Sequence, residues 1–471
     1  MVAGLDDDIA SAGTALNNQD HTTDAVPLSE RRDPLTMGLL WITMVTGFPS
    51  VLIGFQWFGA GLTLSQVVAS AAGSCALLML YCLPACMVGA RSGLTYALLS
   101  RKVFGGWGSR LVSFNLFWIS MSWYGLTAIF LAEGLRGIYH LKIPTTMMAV
   151  SMAVLMTFNN FFGFSGVANF ARYVAGPILV LWVGYTFLKS GLACPSSVWA
   201  ATPTVPAPQA LALVSSFIIG YSVWGNEADY WRYGRPTVRG VAIPLVVSLA
   251  IGQILFPVTG WMMARMSGVT DYAAATELMN KFAFGGISFI AAAVLFVTYL
   301  AINDSMLYGA INAWQNIRAT ARKKVVLCVA VIGSVSATIL SITPRSFEAI
   351  ASLSSVVLPC ATIIIVMEHV LSSRLKGIKQ ALSVDQPNAG GDPQHQQNAD
   401  CGESAVPSYE QLPAFRFPAF FALLAGCSVG LLTSGVVPGT ALLHVGIPAL
   451  QSWLTCIVCY PLFLKVEGRS E

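Results

Sequence analysis

Apolar residues dominate twelve stretches of the chain, and polar or charged residues collect between them. Each stretch holds about 20 mostly apolar residues, the length that an α-helix needs to cross the hydrocarbon core of a bilayer. The pattern therefore predicts an all-α membrane protein with twelve transmembrane helices. The predicted spans, numbered in chain order, are 35–58, 65–88, 111–135, 146–164, 173–188, 210–228, 240–263, 287–307, 325–342, 350–370, 417–436 and 441–463.

Two of these spans are interrupted by glycine, proline and small polar residues. The interruptions are Gly47-Phe48-Pro49-Ser50 in span 1 and Gly220-Tyr221-Ser222-Val223-Trp224-Gly225 in span 6. A single Gly or Pro in a membrane helix is most often a packing residue or a kink. Two breaks five spans apart instead indicate two five-helix halves that each begin with a broken helix. Because bilayers tolerate such breaks only where the freed backbone groups line a buried cavity, the pattern predicts a small-molecule transporter.

The composition agrees with a membrane protein. Hydrophobic residues make up 55% of the chain and charged residues 10%, whereas soluble domains carry about 25% charged residues. Most of the 26 Lys and Arg residues lie in loops on the side of the N-terminus. Because cytoplasmic loops carry an excess of these residues, both termini are predicted to be cytoplasmic. The net charge of +4 reflects this topology and does not indicate nucleic-acid binding.

Spans and loops divide the chain into five regions. Asp33 and Pro34 are placed to cap and start span 1, at the end of the first region. The loop that precedes the last two spans is rich in Gln, Asn, Asp, Gly and Pro, so we expect it to be disordered. The regions are a cytoplasmic tail (1–34), a ten-helix transport core (35–371), the disordered cytoplasmic loop (372–413), two C-terminal transmembrane helices (414–465) and a second cytoplasmic tail (466–471).

Residues with catalytic or metal-binding chemistry are scattered. The five histidines show no metal-binding spacing, and no nucleophile motif is present. The ten cysteines lie mostly within apolar runs, where they read as small buried side chains. We therefore expect no enzymatic activity, no cofactor and no metal site. A channel would need repeated pore helices or a ring-forming oligomer, which paired broken helices in one chain do not indicate.

Three stretches resemble the nucleobase:cation symporter-1 family, which includes bacterial cytosine permeases and carriers of purines, hydantoins and allantoin. They are GARSGLT at 89–95, continuing to Gly108-Ser109, ADYWRYGR at 228–235, and Asn303-Asp304-Ser305 with Leu307-Tyr308. A weaker fourth lies at 359–369. The resemblance implies a leucine-transporter-type core, a 5+5 inverted repeat, with a small planar heterocycle held midway across the membrane. The function implied is secondary active import by alternating access.

Members of this family hold the heterocycle between an aromatic residue of span 3 and a residue of span 6. The matching residue of span 3 is Trp123, whose flat face suits a pyrimidine or purine ring. In span 6 the match falls on Gly220, which has no ring. The second face therefore remains open between Tyr221 and Trp224, or the stacking is one-sided. Without the motif, Trp123 would read as a helix-packing or interfacial tryptophan like Trp118 and Trp57.

Further substrate-binding candidates are polar groups and freed backbone near the breaks. Asn303 offers both an amide donor and a carbonyl acceptor, which matches the edge of a nucleobase, although a buried Asn can also simply join helices. Gln56 and Ser50 of span 1 are weaker candidates of the same kind. Backbone groups around Phe48 in span 1, and around Gly220 and Ser222 in span 6, complete the predicted site.

Four charged residues are candidates for coupling or gating. Asp304 lies near the middle of span 8, where a carboxylate costs about 2.5 kcal/mol or more unless it is paired or protonated. It has a structural or a proton-coupling role. Glu227 is a second candidate carrier. Asp229 and Arg232, three residues apart at the inner end of span 6, are expected to form a gate or a fold-stabilising ion pair, or a solvated helix end.

The resemblance also bears on the coupling ion. In sodium-coupled members, side-chain hydroxyls just before the Asn-Asp motif of span 8 hold the ion. The matching residues are Ala301 and Ile302, which have no side-chain oxygen, whereas hard cations need oxygen ligands. We therefore expect proton coupling rather than sodium coupling. The alternative is a sodium-coupled carrier of a hydantoin- or allantoin-like solute.

Overall fold

A computed structural model of the protein describes residues 20–270, 272–318, 320–343, 346–383, 412–440 and 446–468. In that part of the chain the structure is helical, and β pairing is limited to a single bridge between Arg32 and Gly234. This confirms the all-α prediction.

The described helices group into twelve membrane spans. Eight apolar stretches are long enough to cross a membrane, the bent pair that forms span 1 is a ninth, and two apolar helices are shorter. The stretch Thr145–Ala193 supplies two spans, because the chain turns at a 3-10 segment, Phe158–Phe162, and at the left-handed Gly163. The bounds are Pro34–Val45 with Phe48–Gly59 (span 1), Leu64–Ser92 (2), Tyr96–Tyr139 (3), Thr145–Met156 (4), Gly163–Phe170 with Gly176–Ala193 (5), Ala207–Ser222 with Glu227–Trp231 (6), Val238–Leu249 with Phe256–Ser267 (7), Ser288–Ile317 (8), Arg322–Ser341 (9), Ser346–Ser383 (10), Phe417–Thr433 (11) and Pro448–Glu467 (12).

Side-chain caps fix the start of span 1. Pro34 occupies the first turn and the Asp33 carboxylate accepts the Thr36 N–H at 3.0 Å, as predicted. Burial raises the pKa of Asp33, but the hydrogen bonds from Thr36 and the charge of Arg172 lower it more strongly, to about 2. The start of span 1 therefore depends on an ionised Asp33.

Several boundaries differ from the sequence prediction. Span 3 begins at Tyr96 rather than at 111, because the polar segment before 111 is also helical and bends at Gly105, where φ is 81°. A further helix, Tyr272–Phe284, connects spans 7 and 8. The predicted loop 372–413 begins within the helix of span 10, which ends at Ser383, and residues 384–411 lie outside the described residues. So do residues 441–445, where the last span was predicted to begin.

Eight spans form two groups of four. Spans 1, 2, 6 and 7 pack together, and spans 3, 4, 8 and 9 form the second group. In two repeated halves, span 6 is the counterpart of span 1, and span 7 is the counterpart of span 2. Span 1 packs on span 7 and span 6 packs on span 2, which is the relation expected of such halves. Glycines permit this closeness. A Cβ atom on Gly54 would lie 2.1 Å from a carbonyl oxygen of the facing helix, and a Cβ atom on Gly260 would lie 1.8 Å from one. Spans 11 and 12 pack on span 10.

The outward surface of the bundle is apolar. Large aliphatic side chains such as Leu80, Leu181 and Leu192 are exposed by 72–90%. In a soluble protein this surface would be costly, whereas acyl chains solvate it well. The bilayer is therefore the natural surroundings of these helices.

Candidate functional site

The break in span 1 is held open by span 7. Thr46 and Gly47 are extended, and the two halves of the span are bent by 49°. The carbonyl of Val45, freed by the break, accepts a hydrogen bond from the amide of Gln253. Gln253 belongs to a π-helical segment, Ala250–Leu255, in the middle of span 7. A buried carbonyl without a partner is costly, so Gln253 stabilises the break.

The break in span 6 is organised by Glu227. Gly225 adopts a left-handed φ of 77°, and the next helical segment begins at Glu227. One carboxylate oxygen of Glu227 accepts the N–H groups of Trp224 at 3.0 Å and Gly225 at 3.1 Å. The other accepts the hydroxyl of Tyr81 at 2.8 Å. Three donors thus satisfy this buried carboxylate, which fixes the backbone of the break.

The two breaks meet in the interior of the molecule. A Cβ atom on Gly47 would lie 3.0 Å from the hydroxyl of Tyr221 and 2.8 Å from the side chain of Ile302. The ring of Trp123 lies edge-on to Tyr221, with centroids 5.7 Å apart. Its indole N–H donates to Ser354 of span 10 at 2.6 Å. Spans 1, 3, 6, 8 and 10 therefore converge at one buried place.

Several polar atoms in the break of span 6 have no hydrogen-bond partner among the described residues. In the described part of the chain, the hydroxyl of Ser222 and the indole N–H of Trp224 are buried and make no hydrogen bond. The hydroxyls of Tyr221 and Ser50 face each other, with no further partner there. A buried polar group left unsatisfied costs about 1–3 kcal/mol. Such a group in a native site calls for a bound molecule or water.

Three predicted residues direct their side-chain positions elsewhere, although the backbone of Gly220 adjoins Tyr221 and that of Phe48 adjoins Gly47. A Cβ atom on Gly220 would lie 2.6 Å from the carbonyl oxygen of Ala351, so Gly220 faces span 10 and allows close packing there. Phe48 stacks on Trp182 of span 5, with centroids 5.9 Å apart. Gln56 is exposed near the far end of span 1.

Asn303 is directed towards spans 3 and 4. Its amide oxygen accepts the hydroxyl of Thr127, and its amide N–H donates to the sulfur of Met156 at 3.2 Å. The neighbouring Ile302, rather than Asn303, faces the break in span 1. The position of Asn303 in the sequence is central, but the rotation of span 8 turns its side chain away.

Asp304 is fully buried and held by two amides. Its carboxylate accepts hydrogen bonds from Asn159 and Asn160, in the 3-10 segment after span 4. Within the described residues no Lys or Arg lies within 4.0 Å of it. The Asn-Asn pair in an otherwise apolar run was the sequence signal for this contact, and it was missed.

Comparison with known proteins identifies the family. Residues 25–382 match the family described as permeases for cytosine/purines, uracil, thiamine and allantoin. The chain belongs to this family of permeases. Cytosine permease of Escherichia coli K12 is 27% identical over 317 residues, which cover 66% of this chain and 72% of that protein. The chain is accordingly a permease and not an enzyme.

Solved structures share the fold of this permease. Mhp1, a nucleobase-cation-symport-1 family transporter in a closed conformation with bromovinylhydantoin bound, aligns with a TM-score of 0.68 and 14% identity, over 94% of this chain and 96% of that chain. A Na⁺-coupled sialic acid symporter aligns with a TM-score of 0.63 and 10% identity, over 96% and 93%. These likenesses, with the packing of the two halves, confirm the leucine-transporter-type core.

Asp229 and Arg232 of the permease do not pair through their side chains. The carboxylate of Asp229 accepts the N–H of Tyr96 at 2.8 Å and the amide of Asn226 at 2.9 Å. Arg232 donates instead to the main-chain oxygen of Asp229 at 3.2 Å and to the hydroxyl of Tyr308 at 2.8 Å. The predicted ion pair is therefore replaced by two separate hydrogen-bonded networks.

A segment before span 1 joins both helix groups of the permease, and sequence reasoning missed it. Arg232 of span 6 donates to the carbonyls of Asp20 and His21. The carboxylate of Asp20 binds Arg322 of span 9 and accepts the N–H of Phe164 at 3.0 Å. Asp20 thus connects the group of spans 1, 2, 6 and 7 with the group of spans 3, 4, 8 and 9.

Behind this segment lies a polar cavity of about 390 Å³. Thr22 and Thr23 of the N-terminal segment form one wall, and the ends of spans 3 and 8 form the others. Its polar lining includes Arg101, Asn312 and Asn316. The cavity therefore adjoins the start of span 3, the end of span 8 and the N-terminal segment.

Ala301 and Ile302, the positions matched to sodium ligands, are buried and apolar in the permease. Within the described residues, no group of three or more His, Cys, Asp or Glu side chains is arranged to hold a metal ion. Side chains of span 8 at these two positions therefore supply no oxygen ligand to a cation.

Proposed function

We propose that this permease imports a nucleobase, such as cytosine, a purine or uracil, or a related planar heterocycle, by alternating access. The observation that carries the proposal is the buried Trp123 edge-on to Tyr221 where the two broken helices meet, with unpartnered polar groups of Ser222 and Trp224 in the adjoining break of span 6. A flat ring would stack on the indole face while its edge satisfies these groups. The cytosine permease of Escherichia coli and the hydantoin-bound Mhp1 support a heterocyclic substrate.

Tyr221 supplies the second side of the proposed site, whereas the ring of Trp224 packs edge-on against Tyr230, with centroids 5.7 Å apart. Tyr221 already contacts Trp123 edge-on, and Trp224 carries a free indole donor. Base–aromatic stacking contributes about 1–3 kcal/mol per ring. The hydroxyl of Ser222 can donate or accept, so it suits either edge of an amide-like ring.

The residues favour proton coupling over sodium coupling. Ala301 and Ile302 lack the oxygen atoms that a sodium ion needs. Asp304 is a buried carboxyl group with amide donors and no cationic partner within the described residues, an environment in which ionisation is costly. Glu227 has three donors and a fixed place in the backbone of span 6. Asp304 is therefore the better proton carrier of the two.

The orientation of the permease follows from its charges. Most Lys and Arg residues lie on the side that holds the N-terminal segment, so that side faces the cytoplasm under the positive-inside rule. Both termini are then cytoplasmic. The contacts of Asp20 with Arg232 and Arg322 close the cytoplasmic path, and we expect them to break when the two helix groups separate.

Uptake by proteoliposomes tests this proposal. Labelled cytosine, uracil, hypoxanthine, hydantoin and allantoin are offered under an inward proton gradient or an inward sodium gradient. Trp123→Ala should lower affinity about 5- to 150-fold, the equivalent of 1–3 kcal/mol of stacking. Trp118→Ala is the matched control, because Trp118 lies on the same span and is 59% exposed towards the lipid.

Each outcome has a distinct meaning. Proton-driven uptake that is lost in Asp304→Asn, while substrate exchange across the membrane persists, supports the assigned carrier. Sodium-driven uptake would contradict proton coupling and show that backbone oxygens suffice. Absence of uptake for every ring, or equal effects of the two tryptophan variants, would overturn the proposed site.

A further inference from the structure

A second cavity, of about 320 Å³, lies away from the proposed substrate site. It is bounded by spans 2, 5 and 7 and by the 3-10 segment Ser196–Ala200, on the side opposite the N-terminal segment. Its walls are apolar and include Leu64, Val68, Phe187, Ile254 and Met262. We propose that this cavity binds the acyl chain of an anionic phospholipid whose headgroup lies at Arg265.

The walls and surroundings of the cavity favour an acyl chain. An apolar cavity offers water no hydrogen bonds and is a poor site for it. The cavity reaches the surface beside Gly191, which is exposed, and the next residue, Leu192, is 90% exposed on the lipid-facing side of span 5. Trp199, at the rim, is 59% exposed, and tryptophan is enriched at the level of lipid headgroups.

Arg265 supplies the charge that a phosphate requires. Val258, Met262 and Arg265 follow one another at helical spacing on span 7, so they share a face. The first two line the cavity, which places Arg265 one turn nearer the membrane surface. Burial raises the pKa of Cys194, another lining residue, and the charge of Arg265 partly opposes this. Arg265 is exposed and makes no hydrogen bond or ion pair with a described residue.

The bound chain would lie directly behind the break in span 1. Ile254 and Leu255 of the π-helical segment line the cavity. On the other side of the same segment, Gly252 approaches Thr46 so closely that a Cβ atom would lie 2.0 Å from its methyl group, and Gln253 binds the carbonyl of Val45. A chain in the cavity therefore supports the wall that holds the break. This link to transport rests on the proposed function, whereas lipid binding itself does not.

Two glycines of span 5 provide a filling variant and its control. A Cβ atom on Gly191 or on Gly184 would meet nothing within 4 Å. Gly191 lines the cavity, whereas Gly184 lies two turns earlier on the same helix and does not. Gly191→Leu should fill the cavity, and Gly184→Leu should add the same side chain outside it.

Native mass spectrometry of the purified full-length permease tests the site. After removal of bound lipid, each protein is titrated with dioleoylphosphatidylglycerol or with dioleoylphosphatidylcholine. We expect one tightly retained phosphatidylglycerol in the native chain and in Gly184→Leu, and at least tenfold weaker retention in Gly191→Leu. Arg265→Gln should abolish the preference for phosphatidylglycerol over phosphatidylcholine while it retains binding of either lipid.

Equal retention by the native chain and Gly191→Leu would show annular lipid only and overturn the proposal. An unchanged preference for phosphatidylglycerol in Arg265→Gln would also overturn the proposal. Because Arg265 is exposed, this variant does not depend on whether the protein folds with a filled cavity. Binding of labelled cytosine in nanodiscs of each lipid is measured separately. Loss of cytosine binding in every sample would contradict the proposed function and leave the lipid result unaffected.

Discussion

Neutralising Asp20 should open this permease on the side of its N-terminal segment. The side chains of Asp20 and Arg322 are only 9% and 11% exposed, and the carboxylate also accepts the N–H of Phe164. Hydrogen bonds to a charged group contribute about 1.5–3 kcal/mol. These contacts join the two helix groups, and we expect them to exist only while the helix ends beside the N-terminal segment stay together. Asp20→Asn should therefore shift the equilibrium towards the state that is open on this side about 10- to 150-fold.

Hydrogen–deuterium exchange measures this shift without an added label. The peptides of interest are 94–101 and 311–317, which line the polar cavity behind the N-terminal segment. Exchange through local opening is faster in proportion to the opening equilibrium. The expected increase in Asp20→Asn is at least tenfold. Arg322→Gln should give a similar increase, and the double variant should add little, because both changes remove one interaction.

Asp24→Asn is the matched control. Asp24 lies on the same segment, but its side chain is 66% exposed, and exposed ion pairs contribute about 0–1 kcal/mol. Its exchange should equal that of the native chain. Unchanged exchange in Asp20→Asn, or equal acceleration in Asp24→Asn, would show that Asp20 does not hold the two helix groups together.

Three further substitutions have defined outcomes. Gly220→Ala places a Cβ atom 2.6 Å from the carbonyl oxygen of Ala351, so overpacking should destabilise the fold by about 1–3 kcal/mol, seen as a lower Tm in detergent. Tyr81→Phe removes one of three donors to Glu227 and should cost about 1–3 kcal/mol in the same assay. Because the pKa of Asp33 is lowered to about 2 from 3.8, its stabilising contribution is present above pH 4 and is lost as the pH falls towards 2. Asp33→Asn should therefore flatten the dependence of Tm on pH in that window.

Controls accompany these three predictions. Gly184→Ala adds a methyl group in open space and should leave Tm unchanged. An equal decrease in Tm in Gly184→Ala and Gly220→Ala would mean that the replacement of glycine, and not the contact with span 10, lowers the stability. A Tm that depends on pH equally in the native chain and Asp33→Asn would remove Asp33 as the titrating group.

Local chemistry made both helix breaks predictable. Gly47 and Pro49 interrupt span 1, and Gly225 adopts the left-handed conformation that other residues avoid. The twelve spans followed from the same kind of local signal, since their length and apolar composition are set within about twenty residues. Features set by residues close together in the chain, namely the helix breaks and the apolar spans, could be predicted from the sequence.

Long-range placement could not be read in that way. Asn303 and Ile302 are adjacent, and only the rotation of span 8 decides which of them faces the break. Asp20 and Arg322 are separated by 302 positions, and no periodicity connects them. Gln253 lies 208 positions from Val45, and a π-helical segment of span 7 brings its amide to that carbonyl.

The arrangement around Glu227 has a consequence for the charge of the substrate. Backbone N–H groups freed where a membrane helix is interrupted are a natural site for anions. In this permease the carboxylate of Glu227 already accepts those of Trp224 and Gly225, in the break of span 6. An acidic analogue entering beside them would find the donors occupied and a like charge in place. We expect the permease to reject carboxylated rings that match its substrates in shape, so that selection by charge is set by the backbone of span 6.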